Sequence, residues 1–128
     1  MVPEVYVRGL LLGRRTALAL ALLAGAAPPQ APAVERDLTR IVYDYAVTSY
    51  CGRLTPEVEI GFRRELAAVT ARAGVDAETA RRQRIRGWIA ADREWSNRGL
   101  GGQRAWCREE GLPAARHFQA IARGEQQP

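Results

Sequence analysis

Apolar residues recur at helical spacing along most of the chain beyond residue 33, and no segment alternates with the two-residue period of a strand. The first helix is predicted from residue 34 to residue 51 and ends at Gly52 in a left-handed cap. Its apolar stripe consists of Leu38, Ile41, Val42, Tyr45, Ala46 and Ser49.

The second helix is predicted to begin after Thr55, because an N-cap residue is followed there by Pro56 at the first helical position. It ends at Gly74, and its apolar stripe consists of Val58, Phe62, Leu66, Val69 and Ala73. Asp76 caps the third helix, in which Ile85, Trp88, Ile89 and Trp95 are expected to face the core. The arginines in its first turns, Arg81, Arg82, Arg84 and Arg86, are expected to be exposed.

Gly99, Gly101 and Gly102 are predicted to form a flexible joint, which precedes a short helix over residues 103–110 and a last helix over residues 113–123. The expected fold is therefore an all-α bundle of four to five helices. We expect the second and third helices to form an antiparallel hairpin, with the short fourth helix held against the end of the first.

The N-terminal 33 residues have the pattern of a cleavable signal peptide. Arg8, Arg14 and Arg15 precede an apolar run that ends in small residues and prolines. The run is shorter than the roughly 20 residues that span a bilayer, which favours transient membrane contact over an uncleaved anchor. We expect cleavage after Ala33, with Ala26 as the alternative, and the twin-arginine and general export routes both stay open. This predicts a periplasmic or secreted helical domain over residues 34–123 and a polar tail over 124–128.

The two cysteines, Cys51 and Cys107, are expected to form a disulfide, because an even pair in an exported protein is rarely left reduced. The mature chain is short enough to be marginally stable by itself. We therefore expect the crosslink to contribute substantially to its stability.

The net charge is +5, and all 19 basic residues are arginine. Three of these arginines and one glutamate lie in the predicted signal peptide, so the net charge falls to +3 after cleavage. Arginine-rich composition without lysine is typical of codon bias, and it indicates little about partners. An exported protein with so small an excess is not expected to bind nucleic acid.

No metal site or cofactor is expected, because the sequence lacks clustered cysteine and histidine ligands and the CxxC and CxxCH motifs. His117 is interpreted as a polar residue at the edge of the core, the alternative being a general base. Asp92 projects into the apolar stripe of the third helix and is predicted to be a buried polar anchor. The alternative role for Asp92 is acid-base catalysis.

Five further residues are candidates for an interaction surface. Tyr43 and Tyr50 share a flank of the first helix, where they suit either an interface or packing of that helix between two neighbours. Arg82 and Arg86 suit either an anionic partner or a solvated face. Arg98 precedes a glycine-rich turn that is either an anion site, with Arg98 or Arg104 as its arginine, or a helix cap.

No catalytic residue is assigned. The function predicted from these features is a non-catalytic binding or accessory module of the cell envelope, with a protein or an envelope polymer as its partner. The alternative is a small hydrolase of an envelope polymer that uses carboxylates around Asp92.

Overall fold

The computed structural model describes residues 37–128. They form α1 (Leu38–Tyr50), α2 (Pro56–Ala73), α3 (Ala77–Asn97), α4 (Gly99–Trp106) and α5 (Leu112–Ala122), with a π-helical segment, Cys107–Gly111, between α4 and α5. This part of the chain contains no strand, so the predicted all-α fold is confirmed. The predicted signal peptide lies outside the described residues. None of the described helices is both long and apolar enough to cross a membrane.

The helix ends follow the sequence signals closely. The Thr55 hydroxyl accepts a hydrogen bond from the Val58 N–H at 3.3 Å, and the Asp76 carboxylate accepts one from the Thr79 N–H at 2.8 Å. Gly74 ends α2 with a φ of 58°. The first helix begins later than predicted, at Leu38, because the Asp37 carboxylate accepts from the Arg40 N–H and acts as its N-cap.

The expected break between two short helices after residue 110 is wrong, because the chain stays helical from α4 through the π segment into α5. Pro113 has no N–H to donate, so a regular α-helix would lose a hydrogen bond there. The π segment lies directly before this position, where the Leu112 N–H donates to the carbonyl of Cys107, five residues earlier. Gly101 and Gly102 are therefore part of α4 and do not form a joint.

The predicted hairpin of the second and third helices is also wrong. α1 lies at the centre and packs against α3, α2, α5 and the π segment, whereas α2 packs mainly against α5. Glycines explain the choice of neighbours. A Cβ on Gly87 of α3 would lie 2.6 Å from the Thr39 carbonyl oxygen of α1, and a Cβ on Gly61 of α2 would overlap the backbone of Phe118 in α5. These contacts require glycine at both positions.

The close approach of α3 to α1 determines which face of α3 is buried. Its buried residues are all small, namely Ala80, Gly87 and Ala91. Ile85, Trp88 and Ile89 lie on the opposite side and are 44%, 42% and 45% exposed. The prediction that these three residues face the core is therefore wrong, although they do share one side of the helix as their spacing indicates. Trp95 of the same predicted stripe is half-buried and stacks on Tyr50, with ring centroids 5.3 Å apart.

The predicted disulfide is confirmed. Cys51 and Cys107 are bonded with their Cα atoms 5.4 Å apart, which holds the end of α1 against the start of the π segment. A Cβ on Gly111 would meet the Cys51 sulfur at 2.7 Å, so this end of the bundle is tightly packed. Behind the crosslink, Trp106 is completely buried in a cluster with Ala46, Val47 and Ala91.

Candidate docking face and polar clefts

The large exposed apolar side chains of α3 lie together on its outer surface. Ile85, Trp88 and Ile89 are spaced three and four residues apart, which places them on one side of the helix. We call these three residues the α3 apolar face. The Trp88 ring packs edge-on against Tyr45 of α1 at 6.2 Å, so the indole is held in place while 42% of the residue stays exposed. The arrangement presents an ordered apolar surface to solvent.

Arginines surround the α3 apolar face on both sides. Arg82 pairs with Glu78 at 3.2 Å. Within residues 37–128, no ion pair is found for the other exposed arginines of this helix, which are Arg81, Arg84, Arg86 and Arg93. Arginines therefore outnumber acidic residues around the face, and the local charge is net positive.

Asp92 is exposed, so its predicted burial is wrong. Because α3 turns its small residues toward α1, the stripe that contains Asp92 faces solvent. The Tyr50 hydroxyl donates a hydrogen bond of 2.9 Å to Asp92 Oδ1, which still connects α3 to α1. This hydrogen bond and the carboxylate charge raise the pKa of Tyr50. Asp92 is not among the residues that line the two clefts described below.

Three of the candidate interaction residues pack within the bundle. The Trp106 indole N–H donates to the Tyr43 hydroxyl at 3.3 Å, and the Tyr50 ring packs against both Trp95 and Trp106, with ring centroids 5.3 and 6.4 Å away. Arg98 binds one oxygen of Glu94 through two nitrogens, at 3.1 and 2.6 Å, and its guanidinium lies 5.5 Å from the Trp106 ring centre. These contacts match the interpretation of α1 as a helix packed on two sides.

A polar cleft of about 400 Å³ lies between α1 and the segment leading into α5. The Arg40 guanidinium lies 3.0 Å from an oxygen of Asp44 and 3.3 Å from one of Glu110. His117 also lines this cleft, and its Nε2 atom is 2.8 Å from Oε2 of Glu65. A histidine oriented by a buried carboxylate is an arrangement that acid-base enzymes use, although it also occurs as a purely structural contact.

Two buried carboxylates of this region were not predicted from the sequence. Asp44 is 3% exposed and Glu65 is 2% exposed. The signal was present in the helical spacing, because Asp44 lies three residues from both Ile41 and Val47, and Glu65 lies four residues before Val69. Each carboxylate therefore occupies a core-facing position.

Among the described residues, no group of three or more histidine, cysteine, aspartate or glutamate side chains is placed to hold a metal ion. No protein-family model matches the chain, and the comparisons with curated proteins and with solved structures likewise gave no match.

Proposed function

We propose that this chain is a small, exported, non-catalytic binding module that docks onto an acidic partner protein of the cell envelope. The observation that carries the proposal is the α3 apolar face, where two isoleucines and a tryptophan are each more than 40% exposed. Tryptophan and arginine are the residue types most enriched at the energetic centres of protein interfaces. The spacing of the three residues is that of a helix that enters a partner's groove.

The charge around the face favours an acidic partner. The exposed arginines of α3 would repel the same surface of a second copy, which argues against a dimer through this face. Asp92 lies one turn beyond Trp88 on the same side of the helix. A carboxylate in this position disfavours insertion of the face into lipid, whereas a protein groove can supply a hydrogen-bond donor to it. An acidic groove with an apolar floor fits these side chains best.

The pattern of the first 33 residues supports the proposed export. The Cys51–Cys107 disulfide also supports it, because such crosslinks persist in oxidising compartments. The alternative function, a carboxylate-dependent hydrolase, stays a prediction. Its carboxylates would be those of the cleft beside His117 and not Asp92.

The proposal is tested by placing a photo-crosslinking amino acid at position 89 in the native envelope. The matched control carries it at position 67, an exposed alanine of α2. We expect position 89, and not position 67, to give a discrete adduct with one acidic protein. Excess unlabelled chain should prevent this adduct from forming.

The Trp88→Ala variant separates binding from folding. Truncation at a binding hot spot costs about 2 kcal/mol or more, so the variant should compete for the partner roughly thirtyfold less well. Because Trp88 is 42% exposed and lies outside the buried core, the variant should keep the helical content of the parent chain. The proposal is wrong if positions 89 and 67 give the same adducts, or if Trp88→Ala competes as well as the parent chain.

A further inference from the structure

A second cavity, of about 300 Å³, lies at the crosslinked end of the bundle. Three arginines line it, Arg53, Arg104 and Arg108, and Cys107 and Leu112 complete its wall. No carboxylate is among these lining residues. We call this cavity the arginine pocket. The arginine pocket is separate from the α3 apolar face and from the polar cleft beside His117.

Two distant parts of the chain build the arginine pocket. Gly52, with a φ of 62°, reverses the chain after α1, and the Arg53 N–H donates to the Thr48 carbonyl at 2.8 Å. Arg104 and Arg108 come from α4 and the π segment, four positions apart. The Cys51–Cys107 disulfide joins the two parts, so it holds Arg53 against the helix that carries the other two arginines.

Among the residues that the structure describes, no acidic side chain compensates the three positive charges of the arginine pocket. Within residues 37–128, none of the three arginines forms an ion pair. Glu109 and Glu110 follow Arg108 directly in sequence, yet both line the other cleft, with His117. The π segment therefore directs its two glutamates into one cleft and Arg108 into the other. Gathering like charges without partners costs stability and produces a strong local attraction for anions.

We propose that the arginine pocket binds the phosphate group of a small phosphate monoester, with the organic part of the molecule against Leu112. Guanidinium groups bind phosphate oxygens through paired hydrogen bonds, and three of them match a dianion better than a monocarboxylate. Leu112 provides the apolar contact that inorganic phosphate does not use. The cavity volume lies at the lower end of the range for small-molecule sites, which fits a ligand of this size.

Calorimetric titration of the full, oxidised chain with three probes tests the ligand class. The probes are phenyl phosphate, inorganic phosphate and benzoate. We expect saturable binding with phenyl phosphate tightest, inorganic phosphate weaker, and benzoate at least tenfold weaker than phenyl phosphate. Benzoate binding as tightly as phenyl phosphate would overturn the assignment to phosphate, and the absence of saturable binding by any probe would overturn the site.

Matched arginine variants test the location. Arg53→Gln and Arg104→Gln should each lower the affinity for phenyl phosphate at least tenfold. Arg86→Gln removes the same charge from exposed α3 and should change it less than twofold. Equal losses in all three variants would show general attraction to a positive protein, and the proposal would fall. All three are exposed positions, so the variants are expected to keep the parent's circular dichroism.

The disulfide provides a further test of the same geometry. If the crosslink holds Arg53 in the pocket, the Cys51→Ser/Cys107→Ser variant should bind phenyl phosphate at least tenfold more weakly under conditions where it remains helical. Unchanged affinity in a folded double variant would contradict the role given to Arg53. The proposal does not depend on the α3 apolar face, so Trp88→Ala should bind phenyl phosphate like the parent chain.

Discussion

Gly87 of α3 packs directly against α1, so the addition of a single methyl group there tests the close approach of the two helices. A Cβ built at this position would lie 2.6 Å from the Thr39 carbonyl oxygen, 2.8 Å from the Val42 Cβ and 2.9 Å from the Tyr43 nitrogen. Two of these three atoms belong to the backbone, so a change of side-chain rotamer cannot relieve the overlap. Gly87→Ala must therefore move one helix relative to the other until the contacts lengthen to the ordinary range, which begins at 3.4 Å.

Two opposing free-energy terms determine how much Gly87→Ala changes the stability of the protein. Replacing glycine by alanine inside a helix stabilises it by about 0.5–1 kcal/mol, because the unfolded chain has less freedom to lose. Overpacking an interface costs about 1–3 kcal/mol. Since backbone atoms take part here, we expect the second term to dominate, with a net loss of about 1–2 kcal/mol. For a domain of this size, such a loss lowers the melting temperature by about 5–15 °C.

Urea unfolding followed by circular dichroism at 222 nm measures the loss, and Gly101→Ala is the matched control. Gly101 is helical and exposed, and a Cβ there would meet no atom within 4 Å. The same substitution should therefore stabilise the protein at position 101 and destabilise it at position 87. If Gly87→Ala proves as stable as the parent chain, α3 does not pack against α1 through Gly87.

Two further predictions concern the crosslink and the Tyr50–Asp92 hydrogen bond. The disulfide closes a sequence separation of 56 residues, so Cys51→Ser/Cys107→Ser should lose roughly 4 kcal/mol of unfolding free energy in urea, and a loss below about 1 kcal/mol would contradict this expectation. The Asp92 carboxylate raises the pKa of Tyr50 above its ordinary value of 10.0. The stability that the protein gains from the Tyr50–Asp92 hydrogen bond is therefore fully present below pH 10 and is lost as the pH rises through the raised pKa of Tyr50. Asp92→Asn should be less stable than the parent at pH 8, and the difference should shrink between pH 10 and pH 12; a constant difference would show that Tyr50 ionisation is not involved.

The local signals in the sequence were largely sufficient for the helices themselves. Thr55, Gly74 and Asp76 mark helix ends that the structure shares, since capping depends on hydrogen bonds within a few residues. The site was harder to predict, because an apolar stripe at helical spacing indicates only that one face differs from the rest. Ile85, Trp88 and Ile89 form such a stripe, and their exposure became evident only from the packing of α3.

The polar cleft beside His117 and the arginine pocket could not be predicted from local sequence patterns, because their residues come from distant parts of the chain. Glu65 and His117 are 52 positions apart in sequence. Arg53 precedes α2 in sequence, whereas Arg104 follows α3. Sequence spacing gives no distance between such residues. The pairing of Cys51 with Cys107 was the one long-range contact available from the sequence, because disulfide chemistry restricted the choice to a single partner.

The sequence by itself determined the all-α class, most helix ends and the crosslink, because these depend on periodicity, on capping within a turn and on the chemistry of two thiols. The tertiary structure alone decided which helices are neighbours and which face of α3 meets solvent. The physical reason for this arrangement is close packing, because Gly61 and Gly87 allow helix backbones to approach where larger residues would not fit. That approach turns the small residues of α3 inward and leaves its large apolar side chains exposed.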